Sequence, residues 1–433
     1  MSSQVELLPV ELLDLVISPL GLLDQASFRL ASRQIYAKTL SKFSKVYFSR
    51  ARTSLSLPSL LRLEGITSRA YLAESVTALD IKLLDQSDYQ TLRKISNVGI
   101  YPPPKRFPKI PRVDYRNLGA EIKIFDDVLD GASMDRTVAL FSRILKRLSS
   151  LKTIQLRVRV LPTEAGYKER TPEDLEFHAR CFTILLESLV KSGVRLQELR
   201  LPKGKPFPMA SHFAGISYLT FNMSMARYQS LSDALSSLKS LALCINTQYK
   251  ENARVPGWEN GVSHFISSAA SVQDLSLNLD SWSPVGYSAA IMASLSRSTQ
   301  LSNLRTFKLY GSKVNGQDLL LFLRNHAASL HHVTLAHIDL FDALWRDQLA
   351  SFKTYLALKS LQLMGIRQGQ SPVFFPWRPL RKRDFVTIST KKRSEKRTMQ
   401  ELMDQAIYGY VVGYDALADA LALVTNERGS SGS

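Results

Sequence analysis

Residues 238–246, LKSLALCIN, carry the pattern that decides the fold. Leu238, Leu241 and Leu243 form an apolar-x-x-apolar-x-apolar core, and its second half has the two-residue period of a strand with one buried face. Working outward, the same core recurs toward the N-terminus as Ile216-Leu219-Phe221, Leu196-Leu199-Leu201, Leu151-Ile154-Leu156, Val76-Leu79-Ile81 and Phe43-Val46-Phe48. Toward the C-terminus it recurs as Val272-Leu275-Leu277, Leu304-Phe307-Leu309, Leu330-Val333-Leu335 and Leu358-Leu361-Leu363, and Ile122-Ile124 is a partial copy. Helical segments lie between several of these cores. Residues 134–148 place Val138, Phe141, Leu145 and Leu148 on one face, and residues 172–191 open with Thr171 as a cap and Pro172 at the first helical position. Residues 318–328 and 340–356 predict two more helices. Helix then strand, repeated, predicts an α/β protein with a parallel sheet and helices along its outer face.

From residue 272 the cores are spaced by 32, 26 and 28 residues, and the unit at 238–246 ends in Asn246. The pattern L-x-x-L-x-L-x-x-N resembles the leucine-rich repeat, whose units run about 20–29 residues. The resemblance implies an irregular solenoid with a curved parallel sheet over residues 46–370. Residues between the buried positions would then project onto its concave surface. Asp80, Lys82, Gln155, Arg157, Glu198, Arg200, Tyr218, Thr220, Asn222, Asp274, Ser276, Lys308, Tyr310, His332, Thr334 and Gln362 are expected there. Of these, Arg157, Glu198, Arg200, Tyr218, Asn222, Asp274, Lys308, Tyr310 and His332 are the candidate substrate contacts. The charges on this face have both signs, which suits a particular protein surface better than a phosphate backbone.

The N-terminal stretch 8–36, LPVELLDLVISPLGLLDQASFRLASRQIY, reads differently. Leu8, Leu12, Val16 and Leu20 recur every four residues, with Leu13 and Ile17 beside them and Glu11 and Asp14 off the stripe. Pro9 suits the start of a helix, and Pro19 requires that helix to stop by Ser18. Asp24 is the expected cap of a second helix, with Leu23 and Phe28 as a hydrophobic staple and Arg29 and Arg33 on its polar side. An ordinary amphipathic hairpin needs the same apolar positions. The ordered set Leu8-Pro9-x-Glu11-Leu12-Leu13, Ile17, Leu20, Leu23-Asp24 and Phe28-Arg29-Leu30-Ala31-Ser32-Arg33 goes further and resembles the F-box, over roughly forty residues. Gln25 stands where that family usually has an aliphatic residue, and Ile35-Tyr36 where a Trp is common. The resemblance implies a small helical domain over residues 5–45 that binds a Skp-type adaptor and, through it, a cullin scaffold. The contacts would come from Leu8, Pro9, Glu11, Leu12, Val16, Ile17, Leu20, Leu23, Asp24, Phe28, Arg29 and Leu30, with some of these holding the helices together instead.

The remaining features narrow the reading. Net charge is +18 over 433 residues; between residues 51 and 376 it is a diffuse excess with one denser region at residues 105–116. Two cysteines, Cys181 and Cys244, make no disulfide framework and suit a reducing compartment. No secretory leader is expected, and the apolar run 406–424 is broken by Asp415 and Asp419. A cytoplasmic or nuclear protein without membrane attachment is therefore expected. Residues 101–111, YPPPKRFPKIP, predict an exposed loop. The repeats are expected to end near Ile366, followed by a basic loop segment over residues 371–397. Within it, residues 378–397 carry nine basic and two acidic residues, a run that suits nuclear import or a solvated surface. Thr398-x-x-Glu401 is a capping box opening capping helices over residues 398–425, and residues 426–433 form an expected disordered tail.

No catalytic constellation stands out. Residues 311–316, GSKVNG, have phosphate-loop glycine spacing without the following Lys, and predict a turn. In a regular strand His332 and His337 point to opposite faces, so no metal site is expected of them, and no cofactor is expected. The leading expectation is a non-catalytic substrate receptor of a cullin-RING ubiquitin ligase, presenting an unknown protein substrate by proximity. The alternatives are a basic solenoid that binds nucleic acid or another anionic surface, and an F-box scaffold without ligase function.

Overall fold

The computed structural model describes residues 4–83, 131–158, 172–201, 215–247, 254–279, 287–376, 385–389 and 399–413. The proline-rich loop 101–111, the basic run 105–116, the partial copy at Ile122-Ile124, the caps Thr171 and Thr398, most of the segment 378–397, and residues 414–433 lie outside them. The chain divides into two compact units. The first comprises residues 1–157 and 184–196, and the second residues 158–183 and 197–433. Both are mixed α/β.

The first unit begins with four helices: α1 (Gln4–Leu7), α2 (Val10–Ile17), α3 (Leu22–Leu30) and α4 (Arg33–Tyr47). Strand β1 (Arg50–Ser54), α5 (Leu57–Thr67), α6 (Ala70–Ser75), β2 (Ala78–Leu83), α7 (Gly131–Arg147) and β3 (Thr153–Val158) follow. Strand order is β1-β2-β3, with β1 and β2 parallel and Arg52 opposite Asp80. Phe43-Val46-Phe48 was expected as the first strand core. It instead completes α4, because Ser32 caps a helix of 15 residues that runs on to Tyr47. β1 has no apolar core of its own and exposes Arg50, which is why no repeat was read there.

Helix α8 (Pro172–Ser192) is followed in the second unit by β4 (Glu198–Arg200), β5 (Ile216–Ser217), a 3-10 turn (Tyr218–Phe221), α9 (Met225–Leu235) and β6 (Ser240–Asn246). Three strand–helix pairs come next. They are α10 (Asn260–Ser267) with β7 (Asp274–Asn278), α11 (Tyr287–Ser298) with β8 (Thr306–Val314), and α12 (Gly316–Asn325) with β9 (His332–Leu340). Then come α13 (Trp345–Tyr355), β10 (Ser360–Met364), β11 (Arg367–Gln368), β12 (Ser371–Phe374), β13 (Phe385–Ser389), α14 (Met399–Tyr408) and β14 (Val411–Val412). β4, β6, β7, β8, β9 and β10 pair in parallel in that order.

The register converts the repeating sequence core into continuous rows. Leu199, Leu241, Leu275, Phe307, Val333 and Leu361 stand side by side. Leu243, Leu277, Leu309, Leu335 and Leu363 form a second row. Every one of these side chains is buried. Burial of each contributes about 1.5–3 kcal/mol. The strands also share one entry device. The carbonyls of Gln197, Lys239, Gln273, Arg305 and His331 each accept two successive N–H groups from the next strand. Behind the rows, Phe182, Phe221 and Phe265 pack with ring centroids 5.2–5.8 Å apart.

Three expectations are corrected in this unit. Residues 311–316 are not a turn: Gly311 lies within β8, and Asn315 caps α12 by accepting from the Gln317 and Asp318 N–H groups. Gly311, His337 and Gly365, adjacent across β8, β9 and the end of β10, all have φ between 54° and 56°. The buried positions therefore step from Leu309 to Ser312 and from Leu363 to Ile366, and in β9 they run Leu335, Ala336 and Ile338. A regular-strand argument for His337 fails for this reason. The stretch 371–397, expected as a loop, supplies β12 and β13, and β13 closes the parallel series by pairing antiparallel with β10. Helix α14 packs against α13 and buries Met403, Ala406 and Ile407, with Lys353 Nζ donating to both Asp404 carboxylate oxygens at 2.6 and 2.7 Å.

Candidate functional site

The N-terminal helices are held by a few polar bonds around a small core. Leu13, Ile17 and Ile35 are buried. Lys38 Nζ on α4 donates to the Glu6 and Leu8 carbonyls at 2.7 and 2.8 Å, and Lys42 Nζ donates to the Asp14 carbonyl at 2.6 Å. The Ser32 hydroxyl donates to the Glu6 carboxylate. Gln25 is buried, and its amide donates to the Ile17 and Leu20 carbonyls at 2.8 and 3.0 Å. It thus ties α3 to the end of α2, where the Ile17 carbonyl also accepts the Leu20 N–H. Arg29 is also buried, with its guanidinium over the Phe43 ring at 3.9 Å and the Tyr36 ring at 4.5 Å. Burial pushes the Arg29 pKa down, opposed by Tyr36.

That core uses little of the apolar surface these helices carry. Val5, Leu7, Val10, Leu12, Leu15, Val16, Leu22, Leu23, Leu30 and Tyr36 are all exposed. They are ten of the twenty-one exposed large apolar side chains among the described residues, so the exposure is concentrated rather than scattered. Leu15, Leu23 and Leu30 are 70 %, 80 % and 83 % exposed. Apolar exposure gathered on short helices marks an interaction surface.

The expected contact residues sort by side. Pro9, Glu11, Leu12, Val16, Leu23, Asp24 and Leu30 are exposed, and Leu8, Leu20 and Phe28 are half-buried. Ile17 and Arg29 are corrected to the inner side, because each is buried, Arg29 against the Tyr36 and Phe43 rings of α4. Asp24 is not the cap of α3. Gly21 occupies that position and Asp24 lies in the first turn. The staple expected of Leu23 and Phe28 is absent, since Leu23 faces outward. Leu7, Val10, Leu15 and Leu22 join the exposed set unforeseen.

A second candidate surface is the polar side of the parallel series in the second unit. Alternating with the apolar rows run Glu198, Ser240, Asp274, Thr306, His332 and Ser360, and then Arg200, Ala242, Ser276, Lys308, Thr334 and Gln362. Tyr310 stands in a third row beside Asn278. These groups partly satisfy one another: Arg200 Nε donates to Glu198 at 2.6 Å, and His332 Nδ1 lies 2.8 Å from the Ser360 hydroxyl. Burial pushes the Tyr310 hydroxyl pKa up. Asp274 and Lys308 remain exposed.

Five expected surface residues are corrected. Tyr218 is fully buried in the 3-10 turn, its ring beside Trp258 and the Arg254 guanidinium. Thr220 lies in that turn and Asn222 ends it, so both are off the strands. All three miss because the strand at 216 ends after two residues. In the first unit, Asp80 and Gln155 are buried, and Arg157 Nη2 is held 2.5 Å from the Asp80 carboxylate.

Among the described residues no group of three or more His, Cys, Asp or Glu is placed to hold a metal ion. No helix among them is long and apolar enough to cross a membrane. No protein-family model matches this chain, and no curated protein matches it.

Proposed function

We propose that the chain is a non-catalytic substrate receptor of a cullin-RING ubiquitin ligase. Helices α1–α3 would form an F-box that docks on a Skp-type adaptor, and the strand–helix series would act as a leucine-rich-repeat-like solenoid that holds a protein substrate. The observation that carries the reading is the outward apolar set on α2 and α3, which a small helical assembly leaves in water unless a partner covers it. The residues that depart from the F-box pattern do not weaken this. Gln25 and Ile35 are buried and do not belong to the outward surface, while Tyr36 is exposed and keeps an aromatic ring there. The polar rows of the second unit support the substrate half. They pair opposite charges and hydrogen-bonding groups on regular strands, a surface suited to protein recognition. Catalysis would come from proximity, the receptor raising the effective concentration of substrate lysines at the charged enzyme.

The test is co-expression with a Skp-type adaptor, comparing the wild type with the triple variant Leu12→Asp/Leu15→Asp/Leu23→Asp. All three side chains are exposed, so the variant should keep its fold and its circular dichroism. Loss of adaptor from the variant alone supports the reading. Equal recovery from both proteins overturns it.

A further inference from the structure

The first unit contains a pocket of about 250 Å³, lined by Phe48 at the end of α4, Arg50 and Arg52 of β1, and Arg62, Leu63 and Ile66 of α5. Ala51 also lines it. Successive strand residues point to opposite faces, so a pocket touching Ala51 and both neighbours runs along an edge of β1. β2 occupies one edge, which places the pocket on the other.

The charge around this pocket is unbalanced. Asp80 is shared by three guanidiniums, with Arg157 at 2.5 Å, Arg50 at 3.6 Å and Arg52 at 3.9 Å. Arg157 is the close partner, so Arg50 and Arg52 are only loosely neutralised. Glu64, on α5, is taken by Arg143 at 2.7 Å and Arg147 at 3.5 Å. Arg62 reaches the Ser59 hydroxyl at 3.5 Å. Five guanidiniums thus share two carboxylates, Arg62 adds a sixth nearby, and among the described residues no carboxylate lines the pocket. The C-terminus of α4 and the first turn of α5 both border it, and their partial charges oppose each other. The arginines decide the sign.

The pocket is also two-sided in chemistry. Phe48, Leu63 and Ile66 offer an apolar wall against the guanidiniums. A lone oxyanion would use the charge and leave that wall idle, and the volume has room for a ring beside a phosphoryl group. We propose that this pocket binds a small phosphate monoester with a flat apolar body. Arg50, Arg52 and Arg62 would hold the phosphoryl oxygens, while Phe48, Leu63 and Ile66 pack the body. Guanidinium forks match phosphoryl geometry and stay charged at all working pH values. The inference does not rest on the ligase reading.

The test is calorimetric titration of the full chain with phenyl phosphate, and separately with inorganic phosphate and with phenol. Phenyl phosphate should bind more tightly than either half. Arg52→Gln and Arg62→Gln should each weaken it about tenfold or more, the effect of losing one charge-assisted hydrogen bond. Both side chains are exposed, so the unfolding midpoint should not move. Binding should also weaken with added salt. Undiminished binding by both variants overturns the site. No binding of phenyl phosphate at millimolar concentration does the same. Inorganic phosphate binding as tightly as phenyl phosphate removes the apolar half of the proposal. A phosphotyrosyl peptide binding far more tightly than phenyl phosphate overturns the small-molecule assignment in favour of a peptide.

Discussion

Asp80 is the most consequential single charge in the first unit, and Asp80→Asn isolates it. Asn has nearly the same shape, so no cavity forms; the charge is lost and one acceptor oxygen becomes an amide donor. Asp80 is 2 % exposed, and Arg157, 2.5 Å away, keeps 23 % of its side chain in water. Removing one member of a buried ion pair costs about 3–5 kcal/mol, because the other charge is left uncompensated. Here the guanidiniums are partly hydrated, with Arg50 and Arg52 at 44 % and 74 % exposure, so solvent screening lowers the expected cost to about 2–3 kcal/mol. The assay is urea unfolding followed by circular dichroism, with hydrogen exchange at β1–β3 to assign the loss to this unit rather than to the other. Asp80→Asn/Arg157→Gln should cost less than the sum of the single changes, because the two side chains are coupled. A cost below about 0.5 kcal/mol for Asp80→Asn, the range of an unremarkable surface change, would refute the assignment of Asp80 as the anchor of these strands.

Three further outcomes follow from the geometry. Gly365 has a φ of +54°, and a Cβ there would stand 2.7 Å from the His337 ring, so Gly365→Ala should cost about 2 kcal/mol or more in thermal or urea unfolding. His326 is buried, with Nε2 accepting from the Leu301 N–H at 3.1 Å and Nδ1 2.7 Å from the Phe322 carbonyl, an arrangement that fits the neutral ring. Burial holds its pKa below the usual 6.5. The stabilisation is therefore full above pH 6.5 and is lost as pH falls below it, with a slope of at most about 1.4 kcal/mol per pH unit that His326→Leu should remove. Burial pushes the Cys181 thiol far above its ordinary range, and Cys244 is buried as well. Neither should react with a thiol reagent in the native protein, and both should react in denaturant.

The parallel series was readable because its cores repeat a two-residue alternation on strands that keep one face buried. Leu241, Leu275, Phe307, Val333 and Leu361 fall in a single row for that reason. What escaped was any place where the backbone leaves regular geometry. The left-handed residues at Gly311, His337 and Gly365 shift the buried positions by one without a change in composition. The 3-10 turn after Ser217 buries Tyr218 where a strand would have exposed it. β1 escaped for another reason: a strand of Arg, Ala, Thr and Ser carries little apolar signal, and only its neighbours identify it. β13 does alternate, with Val386 and Ile388 buried, but it is five residues long and follows a densely basic stretch. In the N-terminal helices the apolar residues were visible, but their sides were not. Leu12 and Leu13 are adjacent and equally apolar, yet one is exposed and the other fully buried. Polar anchors such as Gln25, Lys38 and Lys42 decide which side turns inward, and their partners lie on other helices.

The most direct test of the central claim is a binding isotherm between the purified chain and a purified Skp-type adaptor, run for the wild type and for Leu15→Asp. Leu15 is 70 % exposed on α2 and makes no part of the helical core, so the substitution separates binding from folding. The account predicts a saturable one-to-one isotherm for the wild type and at least about tenfold weaker binding for Leu15→Asp at unchanged thermal stability. An isotherm that is flat for the wild type, or identical for the two proteins, would contradict it.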